Sequence, residues 1–228
     1  TGLGYKTGVE EACTVGGGAS ATTGCINILM MDMDSTANYG LWASSTNAYP
    51  DGIFAVDCMC YDLGINGTGT GAIPVYIEQV SRLVVLGSKF DNIQASHCTR
   101  IAGGERVVIA NNQFSRSTLS NTHCLTVRGY TNHVDSAVFE GRYTEKVVIR
   151  DNYIMSETAS GYLMHVAPQN DGYAERHRNI IIERNYFNSM LTSTLYAQVI
   201  GGTCTIRNNL FEIDRGTVAI LISASSDI

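Results

Sequence analysis

Proline is nearly absent from this chain of 228 residues: three prolines stand against 23 glycines. A chain that turns often with so little proline keeps its backbone donors, which favours regular strands joined by glycine and polar turns. Tryptophan occurs once, at Trp42, and charged residues make up only 16 %. So little charge beside 44 % apolar residues excludes intrinsic disorder and a heavily solvated helical bundle. No run approaches the roughly 18 apolar residues that a membrane helix needs. Leucine is sparse beside isoleucine, valine, threonine, asparagine and tyrosine, a composition of strands and turns. The length leaves room for one large domain with a real core.

Positive charge is missing from residues 1–80, where Lys6 alone faces eight acidic residues, a net of −7. Residues 81–228 hold 14 basic and 13 acidic residues, a net of +1. The overall charge of −6 argues against nucleic acid as a partner, since phosphate binding needs a dominant basic face. It leaves room for a local cationic site in the second part. Seven cysteines stand at positions 13, 25, 58, 60, 98, 124 and 204, and an odd number leaves at least one thiol free if the others pair. Cys58-Met59-Cys60 has the wrong spacing for a zinc knuckle and lacks a second pair, so no metal site is expected. No acidic cluster has the spacing of a Ca²⁺ site, so no cofactor is expected. The first residue is Thr1 with no signal peptide in view, as in a mature or excised product.

What is present is a repeat. Arg82-Leu-Val-Val-Leu-Gly-Ser-Lys-Phe90 returns as Arg106-Val-Val-Ile-Ala-Asn-Asn-Gln-Phe114 and Lys146-Val-Val-Ile-Arg-Asp-Asn-Tyr-Ile154. It returns again as Asn179-Ile-Ile-Ile-Glu-Arg-Asn-Tyr-Phe187 and Thr203-Cys-Thr-Ile-Arg-Asn-Asn-Leu-Phe211. Fainter copies precede these at 25–33 and 53–61. The copies end 28, 29, 24, 40, 33 and 24 residues apart. A fixed phrase at a variable period describes coils of one solenoid with loops inserted between them. Each phrase is too short and too β-branched for a helix and ends in a polar turn. A second strand follows most copies, at 97–103, 123–129, 162–167 and 195–201. Two or three short parallel strands per coil make a right-handed parallel β-helix of about seven to eight coils. One domain is expected over 1–228, with an irregular or incomplete coil at 1–23, regular coils at 24–222 and a tail at 223–228.

Stacking turns positions into columns. Val85, Ile109, Ile149, Ile182 and Ile206 should face inward, as should Leu83, Val107, Val147, Ile180 and Cys204. Phe90, Phe114, Ile154, Phe187 and Phe211 should cap the next strand from inside. Asn112, Asn152, Asn185 and Asn209 form a turn column, because asparagine tolerates left-handed backbone and its amide bonds to neighbouring turns. Val84, Val108, Val148 and Ile181 make an outward apolar stripe, a place for a covering loop or another subunit. Arg150, Glu183 and Arg207 read as an exposed charge ladder of modest energy.

The phrase Val-Val-Ile-x-x-Asn-x-Phe, with its asparagines in register, resembles the pectin-lyase-like parallel β-helix superfamily over residues 24–222. The resemblance implies an extracellular carbohydrate-active protein that binds a polysaccharide, as a lyase or hydrolase if it is an enzyme. The row Arg82, Arg106 and Lys146, with Arg100 and His165 nearby, suggests an acidic polymer, although edge protection and rim ion pairs also account for that row. The long insertions near 129–143 and 168–177 are the expected place for chemistry. Eliminative cleavage of a uronate needs a base for the C5 proton and a cation for the carboxylate. His133 or Tyr143 could be the base, and Arg128 or Arg142 the cation. Hydrolysis would need two carboxylates, for which Asp135 and Glu140 are the nearest pair.

The sequence lacks the paired aspartates, Gly-His-Gly and Arg-Ile-Lys of polygalacturonase-like hydrolases. It also lacks the Trp-Ile-Asp-His and Val-Trp-Ile-Arg phrases of extracellular pectate lyases. A structural, adhesive or fibre-forming module therefore stands as the alternative, associating through uncapped ends or through the apolar stripe. Cys98 and Cys124 fall at equal positions in adjacent coils, within disulfide reach, and the secreted character of the superfamily favours the bond. Cys13 and Cys25 could close a further loop, and Asn66-Gly67-Thr68 fits a glycosylation acceptor.

Overall fold

The computed structural model describes residues 11–16, 22–26, 29–31, 39–44, 52–61, 73–93, 97–116, 123–128, 144–156, 162–166, 177–189, 194–200, 203–214 and 219–225. These residues are strands and tight turns. β1 (Glu11–Gly16), β2 (Thr22–Ile26) and β3 (Leu29–Met31) make one coil, and β4 (Tyr39–Ser44), β5 (Gly52–Val56) and β6 (Met59–Tyr61) the next. In β7 (Ile73–Leu86) and β9 (Thr99–Ala110) the first two strands of a coil run on as one, followed by β8 (Lys89–Ile93) and β10 (Gln113–Arg116). The triplet returns as β11 (Leu125–Arg128), β12 (Thr144–Arg150) and β13 (Tyr153–Ser156), then as β14 (Met164–Val166), β15 (His177–Glu183) and β16 (Tyr186–Ser189). β17 (Leu195–Ile200), β18 (Cys204–Arg207) and β19 (Leu210–Ile213) follow, and β20 (Ile220–Ser225) opens a further coil.

Each strand pairs in parallel with its counterpart one coil on, so the chain is a parallel β-helix. The third strands form a seven-stranded sheet, β19-β16-β13-β10-β8-β6-β3, and the first strands run β1-β4-β7-β9-β11-β14-β17-β20. The coil expected to be imperfect at 1–23 carries β1, which pairs with β4 from Glu11↔Tyr39 to Gly16↔Ser44. At the other end β20 reaches Ser225, three residues into the expected tail.

The inward columns stand as the repeat predicts. Val85 pairs with Ile109, Ile109 with Ile149, Ile149 with Ile182 and Ile182 with Ile206. Leu83, Val107, Val147, Ile180 and Cys204 run beside them in the same registers. Phe90 stacks on Phe114 with ring centroids 5.3 Å apart, and Phe187 on Phe211 at 4.9 Å. Leu83, Val85, Ile109, Val147, Ile149 and Ile182 are wholly buried. Burying each such side chain stabilises the fold by roughly 1.5–3 kcal/mol.

A tight turn joins the second strand of each coil to the third. Its first residue has left-handed backbone in coil after coil: Asp57, Gly87, Asn111, Asp151, Arg184 and Asn208 have φ between 51° and 62°. Gly87 suits its place twice over, since a Cβ there would also run into the Asp57 carboxylate. The second residue is the asparagine column. Asn152 shows the pattern: its Oδ1 accepts from the amide N–H and the Nδ2 of Asn112, both at 3.0 Å. Its Nδ2 donates to the Ile109 carbonyl and to Asn185 Oδ1, each at 2.9 Å. Asn185 repeats this toward Asn209 at 3.0 Å, and one coil before Asn112 Ser88 takes the amide's place, accepting from the Cys58 N–H at 3.1 Å.

Of the expected charge ladder, Arg150 and Arg207 are exposed while Glu183 is buried. Glu183 is only 7 % accessible, and Arg207 and Arg184 hold it at 2.7 and 3.0 Å. Arg184 also grips Asp151 of the preceding coil with Nε–Oδ1 and Nη2–Oδ2 distances of 2.8 and 2.9 Å. Both carboxyls sit below the usual carboxylate range, chiefly through hydrogen bonds from Arg207 to Glu183 and from Arg184 to Asp151. Arg150 turns toward Asp151 at 3.9 Å and forms no part of that grip.

Candidate functional site

The outward side of the first strands is where ring and guanidinium side chains gather. Arg100 of β9 pairs with Thr126 of β11, Thr126 with His165 of β14, and His165 with Tyr196 of β17. Three residues before this column comes a second, made of His97, His123 and Tyr162, where the chain enters each strand. The two columns lean together. The rings of His123 and His165 stack with centroids 4.2 Å apart and planes within 6°, and His165 stacks on Tyr196 at 5.1 Å. Tyr162 lies 5.5 Å from His123, 5.9 Å from His165 and 5.2 Å from Tyr196.

Because β14 lies between β11 and β17, His165 has a ring on each side. The faces of these rings are taken up by their neighbours. The tautomers follow from the bonds. His123 Nδ1 accepts from the Tyr162 amide at 2.9 Å, which leaves the proton on Nε2. His97 Nδ1 lies 2.7 Å from the His123 carbonyl, which only accepts, so it carries the proton. The His123 amide, 3.2 Å from the same nitrogen, would need the opposite tautomer, and the shorter contact wins. Thr126 Oγ1, 3.0 Å from that nitrogen, completes the brace.

Arg128 ends β11 where the insertion 129–143 begins. Its carbonyl accepts from the Thr144 hydroxyl at 2.7 Å, which pins the two ends of that insertion together. The next insertion leaves after Val166, paired with Val127, and returns at His177, paired with Thr144. Both insertions therefore spring from one edge of the ring face. His165 is pushed down to about 4, by burial first and by the Arg128 charge second. Its Nδ1 is buried and has no hydrogen-bond partner among the described residues.

Of the residues singled out from sequence, the structure brings Arg100, Arg128 and His165 onto this face. His133, Arg142, Tyr143, Asp135 and Glu140 lie outside the described residues, as do Asn66-Gly67-Thr68 and the side chains of Cys13 and Cys25. The cationic row forms a separate group beyond Gly103 (φ 81) and Gly104. Arg82 pairs with Arg106 as expected, but Lys146 takes left-handed backbone (φ 53), leaves the ladder and meets Glu145 at 3.0 Å. The two cysteines expected to pair, Cys98 and Cys124, meet in the core with their sulfurs 3.2 Å apart. The outward stripe Val84, Val108, Val148 and Ile181 is in register and half-buried. Among the described residues no group of three His, Cys, Asp or Glu side chains could hold a metal, and no helix is long and apolar enough to cross a membrane.

His97, His123, Tyr162 and Tyr196 were missed from sequence. Their signal was the shared position of His97, His123 and Tyr162 before three successive strands. Compared with protein-family models, with curated proteins and with solved structures, the chain gives no match.

Proposed function

We propose that this chain is an extracellular carbohydrate-active β-helix of the pectin-lyase-like kind, binding an acidic polysaccharide along the outward side of β9, β11, β14 and β17. The observation that carries the reading is the gathering of ring and guanidinium side chains on that face: Arg100, Arg128, His123, His165, Tyr162 and Tyr196. Its elements recur at the strand spacing of about 4.8 Å. A row of donors at a regular interval suits an extended polymer of repeating, hydroxyl-rich units better than a compact ligand. The two arginines set the sign of that polymer, and Arg82 and Arg106 would extend its track.

As an enzyme the protein would act by elimination. Arg128 would neutralise a uronate carboxylate, and the nearby imidazole of His165, neutral at physiological pH, would accept the C5 proton. The test is incubation with uronate-rich, sulfated and neutral polysaccharides, following chain length and the ultraviolet absorbance of unsaturated ends. Binding of acidic chains, lost in Arg128→Gln, is expected. Shortening with rising absorbance makes the protein a lyase, and shortening without it a hydrolase. Binding of nothing in the panel overturns the reading in favour of a structural module.

A further inference from the structure

Two sulfurs meet in the core where the chain enters the first strands. β7, β9, β11, β14 and β17 lie side by side through Val75↔Thr99, Thr99↔Leu125, Leu125↔Met164 and Met164↔Leu195. One residue earlier in these rungs stand Pro74, Cys98, Cys124, Leu163 and Thr194, so the register sets Cys98 against Cys124. Both cysteines are wholly buried. The Cys98 amide donates to the Cys124 carbonyl at 2.8 Å, which holds the two backbones as paired parallel strands are held. Their usual spacing of about 4.8 Å falls within the α-carbon separations that a disulfide spans. The side chains also point toward each other. The Cys124 thiol donates to Cys98 Sγ at 3.2 Å, and the Cys98 thiol to the Ser115 carbonyl at 3.6 Å. Drawing the sulfurs to the bonded distance of about 2.05 Å takes a movement of about 1 Å, shared between two side chains.

We propose that Cys98 and Cys124 form a disulfide that staples two successive coils together beneath the ring face. Two thiols become one S–S bond and give up two electrons and two protons. A disulfide donor, either oxidised glutathione or an oxidoreductase carrying a disulfide, takes them by exchange and leaves as two thiols. Both sulfurs are wholly buried in the folded chain, so the exchange belongs to folding, before the core closes over them. Once made, the bond is shielded from reductant by the same burial. Its place bears on the site. Cys98 and Cys124 directly follow His97 and His123, where His97 Nδ1 meets the His123 carbonyl at 2.7 Å. A covalent link one residue away fixes the separation of the two rungs that carry these rings. The inference does not depend on what the ring face binds.

The experiment produces the full chain twice, in an oxidising bacterial periplasm and in a reducing cytosol. Remaining thiols are blocked with N-ethylmaleimide in denaturant, and the digest is mapped by mass spectrometry without reductant. In the periplasmic protein a peptide pair joined through Cys98 and Cys124 is expected, two hydrogens lighter than its parts. The link should survive dithiothreitol while the protein is folded and break once denaturant is added. Maleimide on both residues of the periplasmic protein overturns the bond, as does a link from either to another cysteine. Ready cleavage in the folded protein overturns the shielding. The cytosolic, reduced protein should melt about 5–10 °C lower, because the loop of 26 positions regains its freedom in the unfolded chain. Equal melting of the two forms overturns the staple. Every arm uses the unmodified sequence, so no variant has to fold.

Discussion

At Asn152 the side-chain amide has partners on both sides, taken from the coils before and after. At His165 a buried ring nitrogen has none among the described residues, and the Arg128 charge opposes protonation. Both residues belong to the same repeat, one in the turn between second and third strands and the other on the outward side of a first strand. The turn spends its polar groups on cohesion, so the structure is already complete there. The ring face holds buried polar atoms, His165 Nδ1 among them, that the repeat does not satisfy.

The largest test of this contrast lies beneath both regions. Ile149→Asp places a charge in a wholly buried column and should cost more than about 4 kcal/mol, leaving no cooperative thermal transition. Asn152→Ala comes next. It strips partners from Asn112 and Asn185 and from the Ile109 carbonyl, all away from water, and should cost about 3 kcal/mol in chemical denaturation. Asn209→Ala, on a half-buried rung, should cost clearly less, because water can replace the lost amide. Equal losses at the two positions would mean that the column acts through turn conformation and not through its bonds.

Acid should separate the two regions by pH. The folded-state value of His165, about 4, lies below its ordinary 6.5, so the unfolded chain binds that proton more readily. Stability should therefore decline as pH falls from about 6.5 toward 4, and His165→Gln should remove that limb. Asp151 and Glu183 are also depressed, from ordinary values of 3.8 and 4.5. Their contribution is present above those values and lost below them, giving a second limb that Glu183→Gln should flatten. Thermal melts across pH check both. The smallest expected effect is a gain. The Thr99 hydroxyl points into the core with no partner, and Thr99→Val should raise stability by up to about 1 kcal/mol.

The columns were legible because a solenoid turns position within a repeat into position in space. Val107, Val147 and Ile180 needed only alignment of the repeated phrase to be placed in one column. The asparagine turn was legible for the same reason, since an amide that bonds to its own counterpart must recur in register. Glu183 was harder: an outward position in a strand reads as exposed, and only the guanidinium groups of Arg184 and Arg207 closing over it make it buried. Equal positions in adjacent coils also bring the sulfurs of Cys98 and Cys124 within 3.2 Å of each other.

The sequence by itself determined the parallel β-helix, its inward columns and its turn ladder, because those depend on residue type at a repeating position. Only the tertiary structure decided that Arg100, Arg128 and His165 share a face with His123, Tyr162 and Tyr196. It also pinned two insertions to one edge of that face. Those residues follow no single phrase, and their meeting depends on how successive coils stack and on which ring turns toward which.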